Sequence, residues 1–297
     1  VLGCTLAAAP GIGDAGPETD TFSVLSYNVH GLFRMIAQDA PGTRSRTIGW
    51  LASRYDVVML QEDFEYHKMI AGQMTGMIVH RGNGMRPDAR LIVAKVLLFP
   101  FQVFIPHFSP PYGAGVTTFT ITELQPEDAT VTQGRYRGCN GWLGSKGDCW
   151  ASKGFLRVRI GLPNGTTVDL YNTHLEAGGE PEAQEVRRRQ LNQLARQIDK
   201  LSGDGALIVA GDLNCAFARP GDGALVMAFR DKLGLHDSGA GAELPFWRER
   251  DYILYRHGTG VRLLVEEAGE ATEFVHADRA LSDHPALFAR FRTVREP

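Results

Sequence analysis

The feature that most constrains this chain is a series of short β-rich runs, each meeting acids, amides or histidines at its end. Val24-Leu25-Ser26-Tyr27 leads into Asn28, and Val57-Val58-Met59-Leu60 leads into Gln61-Glu62. Val168-Asp169-Leu170-Tyr171 precedes Thr173-His174-Leu175-Glu176, and Leu207-Ile208-Val209-Ala210 precedes Gly211-Asp212-Leu213-Asn214. Arg250-Asp251-Tyr252, Ser282-Asp283-His284 and the stretch from Asp148 to Gly154 complete the set. Runs of this kind read as buried strands delivering polar side chains to one rim of a sheet. Carboxylates, amides and imidazoles on such a rim are what a hard cation and a phosphoryl group require. The chemistry expected is metal-dependent cleavage of a phosphoester.

These residues must meet at one centre, so residues 21–297 are expected to form a single catalytic domain. With 43% hydrophobic residues in a chain of 297, a large core is available. Strands are expected over Thr21–Asn28 and Val57–Gln61, and helices over Thr43–Arg54, Tyr66–Met74 and Pro181–Leu201. Val116–Thr122 and Phe155–Ile160 alternate as paired strands would, and Pro163-Asn164-Gly165 makes a hairpin turn into the strand ending at His174. Leu91–Pro106 is apolar enough for a core segment or a lipid-facing edge; its short length and β-branched ends favour the core. The fold class is α/β, two packed mixed sheets with helices outside.

The formal net charge is −3, and the one basic run is Arg187-Arg188-Arg189. It falls in the helix whose apolar positions are Val186, Leu191, Leu194, Ile198 and Leu201, and it reads as a solvated face. A duplex-binding protein is usually more basic, so nucleic acid is the less favoured partner. No apolar run is long enough for a membrane-spanning helix. Residues 1–20 read as an export leader remnant and tether. Val1-Leu2-Gly3-Cys4-Thr5 is similar to a bacterial lipobox with Cys4 as the lipidated residue, or to a secretory segment cleaved near Ala9. Either reading predicts export, as a secreted protein or an outer-membrane lipoprotein. In an exported chain Cys139 and Cys149 are the natural disulfide pair, while Cys215 reads as a small buried hydrophobe.

In their order along residues 22–292, the polar segments resemble those of the endonuclease/exonuclease/phosphatase superfamily. The resemblance implies the DNase I-like four-layer sandwich. Glu62 is the first metal candidate, because a lone carboxylate with water and phosphate oxygens suits Mg²⁺, with Mn²⁺ or another divalent ion as alternatives. Asn28 can give its amide oxygen to that metal or its NH₂ to phosphate. Asp283 is expected to bind metal or to hold the geometry, and His30 stands where several nucleases of the family carry an aspartate. His284 is the expected general base, near neutrality in pKa. The resemblance implies that Asp251 orients it, that Asp212 and Asn214 position water and donate to the phosphoryl or leaving-group oxygens, and that His174 supplies a further donor. Glu176 reads as a turn or helix cap before Gly178-Gly179.

Asp148-Cys149-Trp150-Ala151-Ser152-Lys153-Gly154 is similar to the Asp…Lys-Gly segment of neutral sphingomyelinases, which implies a substrate-side role for Asp148 and Lys153. The aromatic-tipped membrane hairpin of secreted sphingomyelinases has no clear counterpart; Leu244-Pro245-Phe246-Trp247 either substitutes for it or packs beneath the site. The leading expectation is an exported, metal-dependent phosphodiesterase acting on a phospholipid headgroup, with peripheral membrane contact. The alternatives are a nuclease, and a surface lipoprotein that binds lipid without catalysis. The second has no use for an oriented general base.

Overall fold

The computed structural model describes residues 19–31, 41–82, 114–124, 130–141, 152–240 and 249–296. Of the leader and tether, residues 1–18 lie outside the described residues, while Thr19 and Asp20 already belong to the first strand; Leu91–Pro106, Asp148, Cys149 and Phe246-Trp247 also lie outside, and with them the expected disulfide. Its strands and helices in chain order are β1 (Thr19–Asn28), α1 (Pro41–Ala52), β2 (Val57–Gln61), α2 (His67–Ala71), β3 (Met77–Arg81), β4 (Thr117–Ile121), β5 (Val131–Arg135), β6 (Gly154–Gly161) and β7 (Thr167–His174). There follow α3 (Pro181–Ser202), β8 (Leu207–Asp212), α4 (Pro220–Leu233), β9 (His236–Asp237), β10 (Asp251–Arg256), β11 (Val261–Glu270), β12 (Val275–His276), β13 (Arg279–Ala280) and β14 (Leu287–Arg295).

The long strands form two six-stranded mixed sheets, ordered β11-β14-β1-β2-β4-β3 and β5-β6-β7-β8-β10-β9. Each has one parallel pair at its centre, β1 with β2 and β7 with β8. A parallel pair needs a long crossover, and α1 and α3 lie in these two connections. The remaining pairs are antiparallel, so β10 and β14 begin at the edge where the central strands end and run back from it.

Period-two alternation sorts each central strand into two faces. Phe22, Val24, Val57, Met59, Leu170, Ile208, Ala210 and Ile253 pack between the sheets. Their neighbours Leu25, Tyr27, Val58 and Leu60 pack on the outer face of the first sheet, with Ile48 and Leu51 of α1. Tyr171, Leu207, Val209 and Leu254 pack with Leu191, Leu194 and Ile198 of α3 on the outer face of the second. Helix, sheet, sheet and helix therefore make the four layers expected.

Two expectations are corrected. The strands near Val116–Thr122 and Phe155–Ile160 lie in different sheets: β4 pairs with β2 and β3, and β6 with β5 and β7. Alternation identifies the face a strand buries, not its partner. Nor is the arginine triplet wholly solvated. Arg188 and Arg189 are exposed beside Glu185, whereas Arg187 is fully buried, 2.9 Å from Asp222 of α4 and donating to the Glu176 and Gly178 carbonyls. Arg187 shares the helix face of Ala183, Val186, Gln190 and Leu194, so helical periodicity places it inward.

Candidate active site

The inward alternation of each central strand runs on past the apolar layer into polar residues. Met59 leads to Gln61, Leu170 to Asn172 and His174, Ala210 to Asp212, and Ile253 back to Asp251. Beneath the rim, Gln61 Nε2 donates to Asn172 Oδ1 at 2.9 Å, and Asn172 Nδ2 donates to the carbonyls of Leu60 (3.0 Å) and Thr117 (2.9 Å). These fully buried amides tie the two sheets together under the site. The rest of the rim is set by strand register, with His174 and Asp251 each opposite Asp212 and Asn28 opposite Gln61.

At the centre, Asn28 Nδ2 lies 3.0 Å from Asp212 Oδ2 and 3.3 Å from Glu62 Oε1. The His30 backbone N–H donates to Asn28 Oδ1 at 3.1 Å, so the NH₂ is the face turned to the carboxylates. Lys153 Nζ is 2.8 Å from His174 Nε2, and that nitrogen is 3.4 Å from Asp212 Oδ2 and 4.0 Å from Glu62 Oε1. His284 bonds through Nδ1 to Asp251 Oδ2 at 2.7 Å, leaving Nε2 facing Asp212 Oδ2 at 3.8 Å. Ser282 Oγ donates to the Asn28 carbonyl at 2.7 Å and fixes the segment carrying His284 against the end of β1.

Burial alone would raise the Asp212 carboxyl, yet His284, His174 and Lys153 together hold it well below the usual carboxylate range. For His284, burial favours the neutral ring, but Asp212 and then Asp251 outweigh it and the net shift is upward. Burial and then the Asp212 charge push Asp251 upward. In this tight group the two carboxylates, Asp212 before Asp251, favour the protonated imidazole, against its burial.

Two features suit a divalent cation. Glu62 Oε2 is buried with no hydrogen-bond partner among the described residues, the state of an oxygen that a cation would satisfy. Asp212, Asp251 and His284 also offer ligand atoms all within 4.8 Å of one another. Asp283 is turned elsewhere: its Oδ1 meets His30 Nδ1 at 3.1 Å, and against partial burial that contact depresses the Asp283 carboxyl.

Asn28, Glu62, Lys153, His174, Asp212, Asp251 and His284 therefore converge, and Asp283 stands at the mouth with His30. Asn214 is adjacent by a different route from the strand alternation expected. β8 stops at Asp212, whose Oδ1 accepts the Asn214 N–H at 2.8 Å, while Asn214 Nδ2 donates to the Leu175 carbonyl at 3.0 Å. Asp148 lies outside the described residues. Glu176 is no cap: Glu180 precedes α3, and the buried Glu176 carboxylate accepts the Asn140 N–H at 2.9 Å. Sequence reasoning missed Gln61 and Asn172 as the layer beneath the rim, although an amide at an inward strand position is itself the signal.

Backbone strain concentrates here. His30, Glu62 and Asn214, each just past a central strand, have φ of +45°, +55° and +51°. The left-handed turn at Glu62 breaks the alternation and brings its carboxylate onto the inner rim. Gly211 carries φ +142°, and a Cβ there would lie 1.9 Å from the Thr173 carbonyl oxygen. Gly211→Ala should therefore destabilise the fold by about 1–3 kcal/mol and spread β7 from β8 where His174 faces Asp212. Urea unfolding measures the first effect, and phosphodiester turnover the second.

The sequence profile of the Endonuclease/Exonuclease/phosphatase family matches residues 25–284. A sphingomyelinase of Mycobacterium tuberculosis is 29% identical over 301 residues, covering 94% of this chain and 55% of the relative. The chain thus spans about half the length of the curated relatives it matches. Among solved structures, D. rerio TDP2 complexed with a single-strand DNA product superposes with a TM-score of 0.65 at 16% identity, over 91% of this chain and 98% of that one. Beta toxin from Staphylococcus aureus, with bound magnesium ions, gives 0.59 at 15% identity over 91% and 99%.

Proposed function

The chain belongs to the endonuclease/exonuclease/phosphatase family, and on that premise we propose that it is a Mg²⁺-dependent phosphodiesterase hydrolysing a phospholipid headgroup, sphingomyelin first among the candidates. The observation that carries the catalytic reading is the His284–Asp251 pair facing the ionised Asp212 beside the unpartnered Glu62 oxygen. Similarity to curated sphingomyelinases along nearly the whole chain supports the lipid headgroup.

Glu62 would hold the cation, which supplies charge to the phosphoryl oxygens when bound. Asn28 presents its NH₂ and Lys153 its ammonium to the negative charge that builds on those oxygens. Asp251 keeps the proton of Nδ1 in place, leaving Nε2 of His284 to exchange a proton with the attacking water. Asp212, at 3.8 Å from that nitrogen, orients the water toward phosphorus.

Net charge of −3 argues against a duplex as main substrate, although the fold also serves a protein solved with single-strand DNA product. A parallel assay with Mg²⁺ and sphingomyelin, phosphatidylcholine, phosphoinositides and DNA tests the reading. Release of a phosphorylated headgroup supports it, nicked or shortened DNA replaces it with a nuclease, and silence on every substrate leaves a binding protein.

Export, peripheral membrane contact and a Cys139–Cys149 bridge belong to the same proposal. Among the described residues no helix is long and apolar enough to cross a membrane. Thiol counting on denatured, unreduced protein checks the bridge, and two free thiols at these positions would exclude it.

The pH profile follows from the site's electrostatics. If neutral His284 takes the proton, kcat/KM rises as pH rises through its pKa, and the acid limb lies above the ordinary histidine value of about 6.5. Asp251 favours the protonated ring, so Asp251→Asn should move this limb to lower pH and also lower the plateau. Paired profiles at saturating Mg²⁺ measure it. A limb that stays in place would remove Asp251 from the orienting role, and a rate falling as pH rises would make His284 the acid.

A further inference from the structure

Arg44, on α1, takes no part in the chemistry above, yet its guanidinium joins the two segments that carry it. Nη1 donates to the carbonyls of Val29 (2.9 Å) and Leu281 (2.7 Å), and Nη2 donates to the carbonyl of His30 (2.8 Å). Val29 and His30 directly follow Asn28, and Leu281 directly precedes Ser282-Asp283-His284. β1 has ended at Asn28, β13 at Ala280, and β14 begins only at Leu287. These carbonyls fall between elements, where no strand ladder fixes them.

We propose that Arg44 is a positioning residue, whose planar fork sets the distance between the Asn28–His30 turn and the segment bearing His284. The proposal rests on the catalytic reading above. Two geometric facts single out Arg44 from an ordinary surface arginine. One nitrogen spans both segments, a second tie beside the Ser282 Oγ bond to the Asn28 carbonyl. The other nitrogen holds the peptide of His30, whose φ of +45° is a conformation that relaxes unless its surroundings hold it. His30 in turn places Nδ1 3.1 Å from Asp283 and 4.0 Å from Glu62. A lysine at position 44 has three donors but no plane, so it cannot hold all three carbonyls in this relation.

The test uses the full chain with Arg44→Ala and Arg44→Lys, sphingomyelin in detergent micelles with Mg²⁺ as the probe, and thermal unfolding to establish that each variant is folded. Misplacement of about 1 Å costs on the order of 100-fold in rate, so Arg44→Ala should lose about that factor in kcat with KM within threefold. Arg44→Lys should recover only a small part, and added methylguanidinium should restore Arg44→Ala. A folded Arg44→Ala with kcat within threefold of wild type overturns the proposal, as does a loss that methylguanidinium leaves unchanged. Ring resonances of His30 and His284, assigned with single His→Gln variants, read the same geometry without turnover. They should move in Arg44→Ala and return with methylguanidinium, and unmoved resonances would also overturn the idea. If wild type fails to cleave sphingomyelin or any other substrate of the assay, the catalytic reading falls, and the resonances alone decide whether Arg44 sets the site.

Discussion

Replacing His284 with alanine should lower kcat/KM for phosphodiester cleavage by about 10²–10⁴-fold, the range for removing a positioned acid–base group. The effect belongs to chemistry rather than folding. His284 lies outside every described strand, and its ring nitrogens meet Asp251 and Asp212. Removing it leaves Asp251 without the imidazole that offsets its charge, so the variant should also bind a proton more readily there. Added imidazole should restore part of the rate in a concentration-dependent way, since the space between Asp251 and Asp212 is shaped for the ring. An alanine variant within tenfold of wild type, unaffected by imidazole, would pass the proton to another group.

Glu62→Gln should weaken Mg²⁺ binding by about 100-fold or more while leaving the fold intact. Loss of a group that merely supports a metal ligand already costs about 10–100-fold, and this change removes the charge of the proposed ligand itself. The amide keeps the shape and still reaches Asn28, and β2 ends before it, at Gln61. Removing one negative charge from a rim that also carries Asp212 should leave the melting temperature in the absence of metal unchanged or slightly raised. Calorimetric Mg²⁺ titration is the measurement, and an unchanged affinity would remove Glu62 from the ligand set.

Much of this site was legible in the sequence because it is built by strand alternation. Leu170 and His174 face inward by the same period, as do Ala210 and Asp212, so reading a run to its polar end locates a rim residue. Glu62 was found by its motif, but alternation alone would have turned it outward; only the left-handed turn brings it in. Asn214 follows the same logic, reached through a bond to Asp212 rather than along a strand. Partner choice was the other limit. β4 and β6 both alternate, and nothing in that period says they belong to opposite sheets. Arg187 shows a third: a charged triplet reads as surface unless each member is placed on the helix wheel, and its partner Asp222 lies on a separate helix.

The left-handed residues at the strand ends carry an evolutionary consequence. A non-glycine residue in that conformation costs on the order of 1 kcal/mol or more, and glycine would relieve it. Glu62→Gly and His30→Gly are therefore changes that selection for heat tolerance alone would favour at the backbone. The first removes a group from the centre of the site and the second one from its mouth. A lineage drifting free of its substrate should gain glycines at these positions early, and its descendants would keep the sandwich, melt later and hydrolyse nothing.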